Sequence, residues 1–325
     1  MKGHGFARAR ANIALAKYWG KADAALNLPA VPSVSVTLDA LVTETEVTLE
    51  PGLSTDHVTL DGAVREGPEA RKVTALLDLL RARAGSTVTA RVVSRNLFPA
   101  ASGLASSASG FAALAGAGAR AYGLDLPPAT LSSIARRGSA SAARSIYGGF
   151  VALPAGVPGD DTLTAEPLYP PAHWDVAVVI AVVTLAPKAV ASRDGMRETA
   201  RTSPYYPAWL ACAPGYAHAV REGIAARDLE AVGRATEAST SAMHACAWAA
   251  VPAVRYFRPV TVALLDRVDA LRRAGTGAWA TMDAGPHVKV LCLGADAPTV
   301  AAALGEVPEV VETRIARPGE GIELG

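Results

Sequence analysis

Pro99-Ala100-Ala101-Ser102-Gly103-Leu104-Ala105-Ser106-Ser107-Ala108-Ser109-Gly110 runs straight into an Ala-rich stretch of helical character. Apart from Pro99 and Leu104, every side chain in it is Gly, Ala or Ser. Small side chains let a backbone approach a ligand closely, and the start of a helix adds the positive end of its dipole. A phosphate chain is the ligand such a segment suits. An Ala-rich packing helix in an Ala-rich chain is the other reading of the same residues. The glycine spacing, and the absence of a following Lys, exclude both a GxxxxGK[ST] loop and a GxGxxG fingerprint.

Working outward, apolar periodicity predicts a strand over 88–93 before the segment and a helix over about 104–122 after it. Upstream lie a strand over 5–16, an alternating half-buried ribbon over 33–50, a turn at Asp61-Gly62 and a helix over 68–84. Downstream come short helical pieces over 128–137 and 141–145, then Gly148-Gly149 and a strand over 150–153. A Pro- and Gly-rich stretch, 154–171, reads as a surface excursion. The second half opens with an apolar strand over 176–185. It continues with helices over 194–202, 207–226, 229–248 and 260–274, and strands over 278–282, 287–293 and 310–315. This interleaving predicts an α+β protein of two lobes, residues 1–185 and 186–325, joined near 170–190.

Bulk properties narrow the function. The 325 residues are half hydrophobic with a formal net charge of +1, which argues against disorder and against a nucleic-acid-coating surface. Cys212, Cys246 and Cys292 are widely spaced without CxxC pairing, as in a reduced intracellular protein. The start lacks the apolar core of a signal peptide, and the longest apolar run, 176–186, is too short to span a bilayer. A cytoplasmic protein with no membrane partner is expected. The histidines show no HExxH or paired ligand spacing, and there is no GxSxG elbow, so neither a zinc site nor a serine hydrolase is indicated. His244, on a helix between Met243 and Cys246, reads as a satisfied, partly buried residue.

Lysine is scarce: Lys2, Lys17, Lys21, Lys72, Lys188 and Lys289 are set against a majority of Arg. A retained Lys hints at a need for a compact ammonium. Lys17 and Lys21 stand together in Asn12-Ile-Ala-Leu-Ala-Lys-Tyr-Trp-Gly-Lys21, at the end of an apolar strand. Arg136-Arg-Gly-Ser139-Ala-Ser141-Ala-Ala-Arg144-Ser145 gathers guanidinium groups and hydroxyls that suit phosphate or carboxylate oxygens, or equally a solvated helix start. Ser192-Arg193-Asp194 repeats hydroxyl beside guanidinium at a predicted helix N-terminus. Thr281-Met-Asp283-Ala-Gly-Pro286 puts one carboxylate at a strand end, where it makes either an Asx turn or a fixed general base.

Taken together, Asn12 to Lys21, Ser33-Val-Ser-Val-Thr-Leu38, Asn96-Leu-Phe-Pro99 with Gly103-Leu-Ala-Ser-Ser107, Arg136-Arg-Gly-Ser139, Arg144-Ser-Ile-Tyr-Gly-Gly149, Gly195-Met196, Thr202-Ser-Pro204 and Asp283-Ala-Gly-Pro286 resemble the diphosphomevalonate decarboxylases of the GHMP kinase superfamily. The resemblance extends from the N-terminus to about residue 293, with the motifs in family order. It implies a two-lobed GHMP kinase-like fold with the active site in the cleft between the lobes. The implied reaction uses ATP, with Mg²⁺, to convert (R)-5-diphosphomevalonate to isopentenyl diphosphate, CO2, ADP and phosphate. It assigns Asp283, Lys17, Arg144 and Ser192 to catalysis. Substrate contacts are implied for Tyr18, Trp19, Gly20, Lys21, Arg71, Ser139, Ala140, Ser141, Ala142, Ala143, Arg144, Ser192 and Arg193. ATP contacts are implied for Ser94, Asn96, Gly103, Leu104, Ala105, Ser106 and Ser107, and no protein metal cage is implied. A homodimer is the family expectation.

The chain departs from the family pattern at a few places. The family loop usually reads Pro-Thr-Ala-Ala-Gly, so a hydroxyl is lost at Ala100 and one is gained at Ser102. Ala140 and Ala143 stand where Gly and Cys are frequent. His287 replaces a frequent Asn four residues from Asp283, which introduces a pH-sensitive group. Relatives acting on 5-phosphomevalonate or mevalonate, and a plain small-molecule kinase of the same superfamily, are the alternatives. The cationic set Lys21, Arg71 and Arg193 favours a diphosphate.

Overall fold

A computed structural model describes residues 3–98, 105–186 and 190–325. The first sheet is built on two long antiparallel strands, His4–Ala16 and Ser33–Leu49. Glu323–Leu324 flanks His4–Ala16 on one side; Ala90–Asn96, His57–Leu60 and Ala63–Arg65 extend the sheet on the other. Phe150–Leu153 pairs with the first residues of Ser33–Leu49 and carries Glu166–Tyr169 on its outer edge. Apolar alternation explains the long strands: Ala7, Ala9, Val47 and Val92 face the helices Gly67–Ala84, Ser106–Ala121 and Pro128–Gly138, which supply Leu76, Leu77, Leu80, Leu114, Leu131 and Ile134 to one core.

The second sheet is antiparallel, in the order Ala278–Thr281, Val288–Leu293, Val176–Val182, Glu312–Ala316. Val176–Val182 is buried at every residue because both of its faces are covered. Ala177, Val179 and Ala181 meet the helices Pro259–Arg273 and Ala297–Gly305. Val176, Val178, Ile180 and Val182 meet Ile13, Leu15, Val34, Val36 and Leu38 of the first sheet, with Val220, Ile224 and Val232 from the helices Tyr206–Ala226 and Leu229–Trp248. One apolar core therefore spans both lobes. Asp228 starts Leu229–Trp248 by accepting the Ala231 N–H at 3.0 Å.

The two-lobed α+β architecture is the expected one. Val176–Val182, on the N-terminal side of the expected boundary at 185, is an interior strand of the second sheet, hydrogen-bonded to Val288–Leu293 and Glu312–Ala316. Glu323–Leu324 returns to the first sheet. The stretch 154–171 is not wholly an excursion, because Glu166–Tyr169 completes a sheet edge. The Asp61-Gly62 turn joins a hairpin of two short strands, His57–Leu60 and Ala63–Arg65, that periodicity did not register.

Candidate active site

Lys17 follows the strand His4–Ala16, and Asp283 lies in the connection between Ala278–Thr281 and Val288–Leu293. The lobes bring them together: Lys17 Nζ donates to Asp283 Oδ1 at 2.7 Å and to the Ala14 carbonyl at 3.0 Å. Lys289, opposite Thr281 in the sheet register, donates to Asp283 Oδ2 at 3.0 Å. The Asp283 side chain is 24 % exposed, against 2 % for Lys17 and 0 % for Lys289. A ligand can thus reach the carboxylate while both ammonium groups stay behind it. An Asx turn would aim the carboxylate at the following backbone; here both oxygens are taken by ammonium groups.

Burial alone would raise the Asp283 pKa, but attraction to Lys17 and then Lys289, with their hydrogen bonds, holds it well below the usual carboxylate range. Burial lowers Lys17 to about 8; Asp283 opposes that shift and Lys289 adds to it. Lys289 is the functional candidate that sequence reasoning counted among the lysines but gave no role. Its signal was a lone cation inside the apolar run Val288-Lys289-Val290-Leu291.

Arg144 lies on a 3-10 turn, Ala140–Ile146, and is almost wholly buried. Its Nε donates to Ser35 Oγ at 2.9 Å and Asn12 Oδ1 at 3.2 Å, and its Nη1 to Ser33 Oγ at 2.5 Å. Nη2 has no protein partner among the described residues, so the fork is fixed with one nitrogen to spare. Burial lowers its pKa to about 10, with Asp283 and Tyr18 opposing, so it stays cationic. The Arg136–Ser145 cluster divides by role. Arg136 is a buried staple, donating to the carbonyls of Leu163, Leu26 and Asp161. Ser139 and Ser141 share a hydroxyl contact of 3.0 Å.

A basic cavity of about 490 Å³ adjoins this junction, lined by Arg71, Lys72, Arg137, Gly138 and Arg193. Lys21 stands close enough to Arg193 and Lys72 that, after burial, their repulsion helps lower its pKa to about 8. Burial raises the Tyr18 phenol, which feels both Arg144 and Arg193. Ser192 and Arg193 open the helix Ser192–Thr202, as their spacing predicts. Gly20 has φ +103°, and a Cβ there would meet Tyr206 Oη at 2.0 Å, so the Lys17–Lys21 turn can pass this phenol only as glycine. Trp19 is buried among Met196, Tyr256 and Trp209, and its Nε1 has no protein partner among the described residues.

A second cavity, of about 350 Å³, is lined by Thr43, Thr45, Asp61, Ser94, Asn96, Ser106, Ser107 and Gly110. Lys72 lines both cavities. Ala105 enters the helix Ser106–Ala121 with φ 59°, an uncommon conformation for a residue with a Cβ. Gly103 and Leu104, with the departures at Ala100 and Ser102, lie outside the described residues, as do Lys2 and Lys188. Among the described residues no three His, Cys, Asp or Glu side chains converge on a metal position.

Some expected contacts take a different form. Ala142 and Ala143 turn their side chains into apolar cores, and the Ala142 N–H is spent on the Ser139 carbonyl at 2.8 Å. They and buried Ala140 shape the turn that carries Arg144. His287 is fully buried and its Nδ1 accepts the Val183 N–H at 3.2 Å, an anchoring role. His244 is fully rather than partly buried. Burial, then repulsion from Lys17, lowers its pKa to about 4, so its ring is neutral.

Known proteins resemble this chain along nearly its whole length. The profile of the diphosphomevalonate decarboxylase-like N-terminal domain matches residues 9–164, and that of the mevalonate 5-diphosphate decarboxylase C-terminal domain matches residues 178–317. A diphosphomevalonate decarboxylase of Aspergillus fumigatus is 37% identical over 311 residues, covering 89% of this chain and 77% of that one. The crystal structure of mevalonate diphosphate decarboxylase from Staphylococcus aureus has a TM-score of 0.94 at 36% identity, covering 100% of this chain and 98% of the other. A structure described as MDDEF in complex with MVAPP, AMPPCP and magnesium has a TM-score of 0.92 at 41% identity, covering 99% and 98%. The chain belongs to the diphosphomevalonate decarboxylase family.

Proposed function

We propose that the chain catalyses the ATP-dependent decarboxylation of (R)-5-diphosphomevalonate, releasing isopentenyl diphosphate, CO2, ADP and phosphate. The observation that carries this reading is the solvent-reachable Asp283 carboxylate, held ionised between Lys17 and Lys289. A tertiary C3 hydroxyl is a poor leaving group and must first take the γ-phosphoryl of ATP. Asp283 accepts a hydrogen bond from that hydroxyl and aims its oxygen at the γ-phosphorus. Its low pKa makes it a poor early base, so in a loose phosphoryl-transfer transition state it acts first by orientation, and the hydroxyl proton passes to its carboxylate late, as the O–P bond forms. The C3–O bond to the new phosphate then breaks, positive charge develops at C3, and the C1–C2 electron pair forms the C2=C3 double bond as CO2 leaves.

Arg144 pairs with the departing carboxylate through its spare nitrogen and sets the C1–C2 bond for this elimination. Lys17 stabilises charge on the transferring phosphoryl group, and Ser192 hydrogen-bonds the substrate beside it. Lys21, Arg71, Lys72, Arg137 and Arg193, with Tyr18, Ser139 and Ser141, receive the diphosphate; this set of cations supports a diphosphate over a monophosphate. The cavity lined by Ser94, Asn96, Ser106 and Ser107 receives ATP. The Ser106 and Ser107 hydroxyls in its lining fit a Mg²⁺ carried on the nucleotide, which would supply charge neutralisation of the phosphates. No helix among the described residues is long and apolar enough to cross a membrane, and a cytoplasmic homodimer completes the reading.

The test is incubation with ATP and Mg²⁺ and, in turn, mevalonate, its 5-phosphate and its 5-diphosphate. The expected result is equimolar ADP and CO2 with the diphosphate alone. ADP without CO2 would make the chain a kinase, and CO2 from another substrate would overturn the substrate assignment.

A further inference from the structure

The helix Leu229–Trp248 carries a polar stripe that none of the preceding roles uses. Its residues 233, 237, 240 and 244 follow the strand end 279–282 one residue at a time. Gly233 lets the helix close on Trp279, where a Cβ would lie 2.0 Å from the ring. Glu237 Oε1 accepts the Ala280 N–H at 2.8 Å. Thr240 Oγ1 lies 3.0 Å from Thr281 Oγ1. His244 hydrogen-bonds the backbone of Met282. The next residue is Asp283. One position aside on the same turn, Ser239 Oγ accepts the backbone N–H of Lys17 at 2.9 Å.

The hydroxyl chemistry gives direction to these contacts. Thr240 donates its proton to the Thr236 carbonyl at 2.8 Å, the usual back-bond of a helical Thr. Its oxygen is then left to accept from Thr281, whose other acceptor, the Ala14 carbonyl, is farther away at 3.4 Å. Ser239, Thr240 and Thr281 are all buried, so no water substitutes for a lost partner without first making room. Two adjacent helical residues thus hold the Lys17 backbone and the Thr281 side chain, on the segments that deliver the two halves of the catalytic pair from different lobes.

We propose that Ser239 and Thr240 are positioning residues for the reaction: Ser239 fixes Lys17, Thr240 fixes Thr281 two residues ahead of Asp283, and one helical turn sets the separation of ammonium and carboxylate. The inference rests on the assignment of Lys17 and Asp283 as the reacting pair. A misplacement of about 1 Å at such a pair costs up to about a hundredfold in rate. Loss of one hydroxyl, which permits less movement than that, is expected to lower kcat about tenfold.

The experiment compares Ser239→Ala, Thr240→Val and Thr281→Val with Thr240→Ser, alone and in an Asp283→Asn background, by steady-state and single-turnover kinetics and thermal melting. The expected result is a kcat about tenfold lower for each hydroxyl-deleted variant, with both KM values and the Tm close to the parent. Thr240→Ser should restore most of the rate, and Thr240→Val with Thr281→Val together should cost no more than either alone. In the Asp283→Asn background Thr240→Val and Thr281→Val should have no further effect, because the carboxylate they position is gone, whereas Ser239→Ala should still lower the rate through Lys17. A wild-type kcat in the folded single variants would overturn the inference, as would an equal fall for Thr240→Val and Thr281→Val in the Asp283→Asn background or a rate loss that tracks the Tm. Should Thr240→Val not fold, Thr281→Val tests the same hydrogen bond from the strand side. The underlying assignment fails separately: it is refuted if Asp283→Asn alone turns over normally, whatever the helix variants do.

Discussion

Two neighbouring regions of this molecule handle charge in opposite ways. At the lobe junction Lys17, Lys289 and Arg144 are buried, and each is already bonded to named partners before any ligand arrives. In the adjoining cavity Arg71, Lys72 and Arg193 stand exposed with few protein partners. Burying a charge is costly unless it is paired, so the junction holds its cations by a carboxylate, hydroxyls and carbonyls whose positions are set by two sheets. The cavity leaves its cations hydrated and mutually repelling, to be neutralised by an anion. Groups that must be correct to a fraction of an ångström during bond breaking are fixed in advance. Groups that only have to attract and hold a spectator diphosphate are left to adapt.

The largest effect should come from the junction. Asp283→Asn keeps shape and hydrogen bonding but leaves two buried ammonium groups without their counter-charge. Turnover should fall at least ~10²-fold with KM little changed, and Asp283→Ala should be no better. Steady-state turnover with a parallel melt checks this; a folded Asn variant of near-normal rate would remove Asp283 from the chemistry. Arg144→Ala and Arg193→Ala sharpen the contrast, since they delete the same charge from the two regions. Arg144→Ala should lower kcat by about 10- to 100-fold, whereas Arg193→Ala should mainly raise KM for the diphosphate substrate. If both changed only KM, the two regions would not differ in the way argued here.

The fold was legible where burial imposes a clean period. The helix Leu229–Trp248 and the strand Ser33–Leu49 follow from their apolar spacing and from the polar residues that flank them. His57–Leu60 and Ala63–Arg65 were not legible, being short and largely half-exposed, with no sustained alternation. Ala297–Gly305 was missed because an Ala-rich run of nine residues carries little contrast between its faces. In the site, Lys17, Arg144 and Asp283 stood out as charges in motifs. Lys289 showed only as a lone cation in an apolar run; that it meets Asp283 depends on a cross-strand register with Thr281 that no local pattern encodes. Ser239 and Thr240 were invisible for the same reason: a hydroxyl in a helix has no signature until its partner strand is in place.

The pH dependence offers a milder test of the comparison. Lys17 and Lys21 have their pKa values lowered to about 8, chiefly by burial, and both act as cations. The charged form exists below the pKa, so kcat/KM should be flat towards neutral pH and fall as pH rises through about 8, steepening towards about a hundredfold per unit because two required cations lose their protons over the same range. Asp283, held far below its usual range, should put no acid limb near neutrality. Because Lys289 helps lower Lys17 but does not act on Lys21, Lys289→Met should move the Lys17 titration upward and leave Lys21 alone near 8, so the limb becomes shallower there while kcat falls. A limb unchanged in slope in a folded Lys289→Met variant would show that Lys17 is not one of the titrating groups.

The smallest effects should lie at the rim of the basic cavity. Arg71 is exposed on the helix Gly67–Ala84 and lines the cavity with Lys72 and Arg193. An exposed charge acts through high-dielectric, salt-screened space, and single contacts there are worth little. Arg71→Gln should therefore raise KM for the diphosphate substrate only about two- to fivefold and leave kcat unchanged. Raising ionic strength should increase KM in the parent and shrink its difference from Arg71→Gln, since salt removes the same attraction that the substitution removes. The kcat deficits of Asp283→Asn and Arg144→Ala should barely respond, because their partners are buried cations and hydroxyls that salt screens little. Measuring all of these variants across a salt series puts both regions on one axis. If salt moved the junction deficits as strongly as the rim ones, the cations there would be hydrated after all, and the distinction between a fixed pair and an adaptable cavity would fail.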